Sequence, residues 1–366
     1  MSDDVQFLYD LVSARSLSGN EGPAAEVFVE RAEVLGFDAC IDQVGNALAH
    51  RGATCDDAKI HIVLLGHIDT VPGEIPVRID DGVLHGRGSV DAKGPLASML
   101  IAASRAELPA GVRLSVVGAV GEEAAGSVGA RHIVDQWRPD ACIIGEPSGW
   151  DGVTLGYKGR LLATATAVVP NAHSAGKDPS ASDVLFAWWA SVLELVERFN
   201  VEPVRVFDQI QATIGGMSSS GDGFDQCARL KAGFRLPPAM GPQELSGLIA
   251  SLASDGISIE FDGAERAHAT GRNDPVVRAI TSAIRVCGGR PHPKLKTGTA
   301  DLNVVAPIWR CPIAAYGPGD SSLDHTPNEH LHIDEFNRSV HVLKMAIGSL
   351  AEELLNAKFQ SVVSIS

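Results

Sequence analysis

Nowhere in the 366 residues is there an uninterrupted apolar run long enough to cross a bilayer, although 45% of the chain is hydrophobic, so no membrane role is expected. The opening Met1-Ser2-Asp3-Asp4-Val5 lacks the basic and apolar parts of a secretory leader, which points to a cytoplasmic protein. Paired cysteines are missing too. The six stand scattered at Cys40, Cys55, Cys142, Cys227, Cys287 and Cys311 with no CxxC, a usage that suits free thiols in a reducing compartment rather than disulfides or a thiolate metal site. Positive charge is scarce: 30 Lys and Arg face 45 Asp and Glu, for a formal net charge of −15, which argues against nucleic acid as a partner. No internal repeat or low-complexity tract is present. The length exceeds one ordinary core and predicts two domains.

What is there is a series of short apolar runs, each ending in acids or histidine. Ile60-His61-Ile62-Val63-Leu64-Leu65 reads as a buried parallel strand and leads into Gly66-His67-Ile68-Asp69-Thr70. His67 and Asp69 therefore sit at a strand's C-terminal end, where open α/β sheets place their chemistry. Their spacing lets the carboxylate accept one ring N–H while the other ring nitrogen faces a metal. Asp91, in Gly86-Arg87-Gly88-Ser89-Val90-Asp91-Ala92-Lys93-Gly94, precedes a small, apolar helical pattern from Pro95 to Ala102. Gly86-Arg87-Gly88 is no dinucleotide fingerprint, because Asp91 stands where its last glycine belongs.

Three further pieces follow. Leu114 to Val120 is another buried strand, ending in Gly121-Glu122-Glu123. Two adjacent carboxylates repel unless a cation or a proton separates their roles, so one suits a metal and the other a general base toward water. Local reasoning leaves open which is which. Cys142-Ile143-Ile144-Gly145-Glu146 ends in another acid, and Asp324-His325-Thr326-Pro327-Asn328-Glu329 brings a second histidine from far along the chain. His67, Asp91, Glu146, His325 and one of the paired glutamates make two imidazoles and three carboxylates. With Asp91 bridging, that set suits two Zn²⁺ or Co²⁺ ions.

The texture changes near Tyr157. Before it, helix and short buried strand alternate, as in the helical pattern from Ala24 to Leu35 ended by Gly36. After it, Leu161 to Val169 is a long β-prone run, Ser182 to Phe199 an amphipathic helix, and strands are expected at Val206 to Ile214 and Gln226 to Leu236, broken by Gly215 to Gly221. A helix at Gln243 to Ala253 and a strand at Ile257 to Phe261 complete a βαββαβ-like pattern. Helix resumes at Asp274-Pro275-Val276, where proline suits the first turn. An α/β domain of residues 1–157 and 271–366 is therefore expected to be interrupted by a smaller α+β domain, 158–270.

The motif order GHIDTVPG, GRGSVDAKG, GEE, GEP and DHTPNEH resembles the M20 metallopeptidase and deacylase family, over nearly the whole chain from Ser16-Leu17-Ser18-Gly19-Asn20 to the last helix. Five separated motifs in one order are far more specific than any one of them. The stretches at Gly145 to Trp150, Leu155 to Arg160 and Tyr316 to His325 are similar to a branch that releases lysine or ornithine from an acidic LysW-type amino-group carrier protein in lysine and arginine biosynthesis.

The resemblance implies a zinc-exopeptidase-like catalytic domain with a central mixed sheet and a ferredoxin-like lid and dimerisation domain, forming a homodimer. It implies two divalent ions, His67 and Glu146 on one, Glu123 and His325 on the other, Asp91 shared. Glu122 becomes the general base, and Asp69 orients His67. A small-molecule N-acyl amino acid deacylase or dipeptidase is the alternative within the family. A silent scaffold is disfavoured, since all these positions are intact.

Outside the metal set, His173 in Pro170-Asn171-Ala172-His173 reads by itself as a solvated loop histidine; the resemblance makes it a lid residue that donates to the substrate's oxyanion. Arg235, by itself a charged residue at a strand end, corresponds to an arginine that binds a substrate carboxylate. Thr297, Gly298 and Thr299 form a tight loop before a helix, explicable as turn and N-cap, and matching a loop whose N–H groups meet that carboxylate. Trp188 and Trp189 are expected in the lid core or a dimer interface, and His61, His85 and His132 as surface or satisfied histidines. An acidic carrier needs a local basic patch on this acidic chain, for which Lys158, Arg160, Lys177, Lys231 and Arg235 are candidates.

Overall fold

The computed structural model describes residues 1–363 apart from Ala125 and Ser174, and of residues 361–363 the backbone alone. The chain divides into two compact units, one of Met1–Gly156, Thr270–Leu295 and Ala300–Ser366, the other of Tyr157–Ala269 and Lys296–Thr299.

The first unit begins with α1 (Asp3–Ser13), α2 (Gly22–Val34), β1 (Asp38–Ile41), β2 (Ala47–Gly52), β3 (Ile60–His67), β4 (Arg78–Asp80), β5 (Val83–His85) and α3 (Lys93–Arg105). It continues through β6 (Val112–Ala119), α4 (Val128–Val134), β7 (Ala141–Gly145) and β8 (Gly152–Tyr157). The second unit holds β9 (Gly159–Pro170), α5 (Ala181–Phe199), β10 (Gln211–Gly221), β11 (Asp225–Leu236), α6 (Pro242–Ser251), β12 (Ile257–Glu265) and β13 (His268–Ala269). The chain then adds α7 (Pro275–Val286), β14 (His292–Lys296), α8 (Asp301–Trp309), β15 (Ile313–Ala315), β16 (His330–His332) and α9 (Ile333–Val363).

In the first unit a mixed sheet runs β1-β2-β6-β3-β7-β15-β8. Strands β6, β3, β7 and β15 are parallel, while β2 joins β6 and β8 joins β15 antiparallel. The parallel strands are buried along nearly their whole length, as β3 and β6 show, because helices such as α3 and α9 cover them. Helix α3 is apolar and buried all round, the signature of a helix inside a core. Gly66 and Gly145, directly before His67 and Glu146, let the ends of neighbouring strands approach closely. A Cβ on Gly145 would lie 2.9 Å from Met99 Sδ and 3.1 Å from Gly66 Cα, so a side chain there would push apart the ends of β3 and β7.

The second unit is a four-stranded antiparallel sheet in the order β10-β11-β9-β12. With α5 and α6 between its strands, this is the ferredoxin-like βαββαβ arrangement. One face packs on the helices: Leu161, Ala163 and Ala165 of β9 point into a core with Leu185, Trp188, Trp189 and Phe234. The tryptophans thus lie in that core. Helix α5 starts at a capping box in which Ser180 Oγ accepts Asp183 N–H at 3.2 Å and Asp183 Oδ2 accepts Ser180 N–H at 3.0 Å. One expectation fails. Gly215 to Gly221 does not break a strand but continues β10, with a bulge at Ile214/Gly216, while Val206–Asp208 is a 3₁₀ turn. Strand pairing to β11 supplies the backbone hydrogen bonds that the glycines' poor propensity withholds.

Candidate metal centre

Three neighbouring parallel strands, β6, β3 and β7, end side by side, and the candidate residues sit at or just beyond those ends. His67 closes β3, Glu122 and Glu123 follow β6, and Glu146 follows β7. Asp91 precedes the buried N-terminus of α3. His325 arrives from the loop before β16 with φ at 62°, a left-handed backbone that costs a non-glycine residue about 1–2 kcal/mol and recurs where function dictates aim.

The five meet. His67, 2% exposed, presents Nε2 3.2 Å from Asp91 Oδ1 and 3.9 Å from Glu146 Oε1. His325 Nε2 lies 3.1 Å from Asp91 Oδ2 and 3.1 Å from Glu123 Oε1. Asp91 therefore offers one oxygen to each imidazole, the disposition of a bridging carboxylate. Ligand atoms of His67, Asp91 and Glu123 all fall within 4.8 Å of one another.

Behind this layer Asp69 is completely buried. Its oxygens accept Ser18 Oγ–H at 2.7 Å, Glu122 N–H at 3.1 Å and Glu123 N–H at 3.1 Å, and Oδ1 stands 3.4 Å from His67 Nδ1. Burial pulls the Asp69 carboxyl up, but His67 first, then Ser18 and the Glu122 N–H, hold it below the usual carboxylate range.

Charge tests the fit of metal ions. Asp69, Asp91, Glu122, Glu123 and Glu146 crowd two imidazoles. Burial raises the Glu122 carboxyl well above its usual range, and the carboxylates of Glu146, Asp301 and Glu123 raise it further, opposed by His67. Burial pushes the His67 imidazole down, but hydrogen bonds to Asp69 and Asp91 outweigh it and hold the ring well above its usual value. Hydrogen bonds to Asp91 and Glu123 push His325 up to about 10. The cluster draws in positive charge, and its donors are the oxygen and imidazole set that divalent transition ions prefer. The residues fit two such ions.

Several participants carried no role in the sequence reading. Glu329, wholly buried, accepts Val90 N–H at 2.9 Å and Asp91 N–H at 3.0 Å while Arg87 Nη1 donates to it at 2.7 Å. It fixes the backbone that aims Asp91. Lys93, 1% exposed, donates to Ala14 O at 2.6 Å, and burial pulls its ammonium down to about 7. Burial raises the carboxyl of Asp301, at the start of α8, to about 8. Glu329 and Ser18 lie inside recognised motifs, so the signal was present, but the partners that define their work are 238 and 51 residues away.

The remaining candidates belong to the second unit. His173 is exposed, and its Nδ1 accepts Ala175 N–H at 3.1 Å. Arg235 Nη1 donates to Thr299 Oγ1 at 2.9 Å, joining two of the proposed substrate residues. Thr297 is exposed, and Gly298 has open space where a Cβ would stand. Thr299 is not the helix cap: Ala300 is, its N–H donating to Asn303 Oδ1 at 2.9 Å. Lys158 leaves the basic patch, because it is completely buried with its ammonium donating to Val206 O at 2.9 Å and also to Gln209 O.

The profile of peptidase family M20/M25/M40 matches residues 63–349. A LysW-lysine hydrolase of Deinococcus radiodurans is 45% identical over 94% of this chain and 96% of its own. A putative LysW-lysine/LysW-ornithine hydrolase of Thermococcus kodakarensis is 39% identical over 97% and 93%. Among solved structures, the aminopeptidase PepT of Bacillus cereus superposes with a TM-score of 0.75 at 19% identity, covering 95% of this chain and 98% of that one, a likeness of fold.

Proposed function

Because the chain belongs to peptidase family M20/M25/M40, we propose that it is a dinuclear-metal amidohydrolase releasing lysine or ornithine from the C-terminal glutamate of a LysW-type carrier protein, in lysine or arginine biosynthesis. One observation carries the hydrolytic reading: Asp91 stands between two imidazoles, 3.2 Å from one and 3.1 Å from the other, with Glu123 in the same cluster. The names of near-full-length relatives support the carrier.

His67 and Glu146 would hold one ion, Glu123 and His325 the other, with Asp91 shared. When bound, Zn²⁺ or Co²⁺ supplies Lewis-acid activation of water and of the scissile carbonyl. Glu122 takes the attacking water's proton and returns it to the departing α-amine. Asp69 keeps His67 in one orientation and holds the Glu122-Glu123 backbone in place. His173 donates to the oxyanion. Arg235, braced by Thr299, takes a substrate carboxylate in its planar fork, with Thr297 and Gly298 beside Thr299 in the same loop. The second unit acts as lid and as the contact surface of a homodimer in the cytoplasm.

The deciding experiment compares hydrolysis of carrier-linked lysine and ornithine with that of N-acetyl-lysine and N-acetyl-ornithine by metal-loaded protein. A large preference for the carrier conjugates, abolished in Glu122→Gln, is expected. Equal or faster turnover of the acetylated compounds would make the protein a small-molecule deacylase.

A further inference from the structure

The helix-free face of the second unit's sheet carries a groove of about 680 Å³. Alternation along the strands puts Arg160, Leu162 and Thr164 of β9, Lys231, Gly233 and Arg235 of β11, and Glu260 and Asp262 of β12 on that face, away from the core. Pairing fixes their layout. Glu260, Thr164 and Lys231 form one row across the sheet, Asp262, Leu162 and Gly233 the next, and Arg160 with Arg235 the third.

Charge in this groove is sorted by strand. The β11 side is cationic and the β12 side anionic; β9 between them carries the apolar Leu162 and, one row along, Arg160, whose Nε donates to Gly263 O at 3.1 Å. Two strand spacings, about 10 Å, separate the two columns at the backbone, and the side chains narrow that gap. Among the described residues, neither Glu260 nor Asp262 nor Lys231 enters an ion pair.

We propose that this groove selects the amino acid to be released by its cationic side chain: Asp262 and Glu260 receive the side-chain ammonium, Leu162 packs against the methylene stem, and Arg235 takes the carboxylate. The inference rests on the proposed role of Arg235. A lysine moiety is a short apolar stem with a carboxylate at one end and an ammonium at the other, and the groove presents the complementary order. A neutral side chain of equal length leaves the acidic edge without a counter-charge, Asp262 Oδ1 accepting, among the described residues, only the Gly263 N–H, and an acidic one meets like charge. The acids on β12 make a wholly anionic occupant, such as a carrier segment, the poorer match.

The test uses full-length, metal-loaded enzyme and carrier conjugates of lysine and norleucine, which share a stem and differ in the ammonium. Wild type is expected to favour lysine by about tenfold or more in kcat/KM. In Asp262→Asn/Glu260→Gln that ratio should collapse toward one, through a rise in KM for the lysine conjugate. An unchanged ratio in the variant overturns the inference. So does a lowered KM for both conjugates, which would mark the groove as a carrier-docking surface. If wild type cleaves neither conjugate, the same comparison with N-acetyl-lysine and N-acetyl-norleucine tests the groove independently of the carrier.

Discussion

The carboxylate of Asp69 accepts the backbone N–H of Glu122 at 3.1 Å. The residue proposed to orient His67 thereby also sets the backbone position of the proposed general base, 53 residues further along the chain. The neighbouring N–H of Glu123 binds the other oxygen at 3.1 Å. One buried carboxylate thus ties together two motifs that β3 and β6 deliver separately.

Asp69→Asn should lower metal affinity by about 10- to 100-fold, as loss of an outer-shell partner typically does. An amide has one acceptor oxygen where Asp69 offers two, so at least one of the Glu122 and Glu123 N–H groups would face an NH₂. Metal titration by calorimetry checks this. Unchanged affinity would leave Asp69 a purely structural acid.

Glu122→Gln should keep its metal and lose about 10²- to 10⁴-fold in kcat. Metal analysis with single-turnover hydrolysis separates the two effects. Loss of metal together with activity would reassign Glu122 as a ligand.

Glu329→Ala strands Arg87, whose side chain is 12% exposed beside a fully buried partner. Breaking such a pair costs about 3–5 kcal/mol, and Asp91 loses its backbone anchor. Chemical denaturation of the metal-free variant reads the first effect, and metal titration reads the second.

Chelation should abolish hydrolysis and lower the Tm, because the crowded carboxylates then repel without a counter-charge. An ion at 100 times its Kd stabilises by about 2.7 kcal/mol. Returning Zn²⁺ or Co²⁺ should restore both readings in wild type, and the Tm gain should shrink in His325→Ala.

Away from the centre, His50 Nδ1 and His61 Nε2 each lie 2.8 Å from Ser115 Oγ, and the Trp137 ring meets both imidazoles edge-on. Burial, with Arg113 nearby, holds both rings down at about 4. Between about 4 and the ordinary 6.5 the unfolded chain binds more protons than the folded one. Stability should therefore be flat in this contribution above pH 6.5 and fall as pH drops toward 4. Thermal melts of the His50→Gln/His61→Gln variant should show a shallower acid limb than wild type.

Much of the centre was legible because local pattern marks each piece. A buried run that ends in glycine and then a histidine or acid announces a strand end with chemistry on it, as at His67, Glu122, Glu123 and Glu146. The βαββαβ order of the second unit was legible for the same reason, from the long β-prone run of β9 and the helical spacing in α5. Propensity misled at Gly215 to Gly221, where pairing with β11 overrides the glycines' reluctance, and at Lys158, whose charge suggested surface but whose ammonium is satisfied by the Val206 and Gln209 carbonyls and the Gln211 side chain.

The sequence by itself determined the type of each element, the family resemblance and the inventory of candidate ligands, because these depend on residues near one another along the chain. Only the tertiary structure decided the rest. It set β6, β3 and β7 side by side so that their ends converge, turned His325 through a left-handed backbone onto Asp91, and buried Glu329 beneath the Asp91 amide. It also set Asp262 and Arg235 on one sheet face, in adjacent rows. Strand order and register are set by which surfaces pack best across long separations, and no local period encodes them.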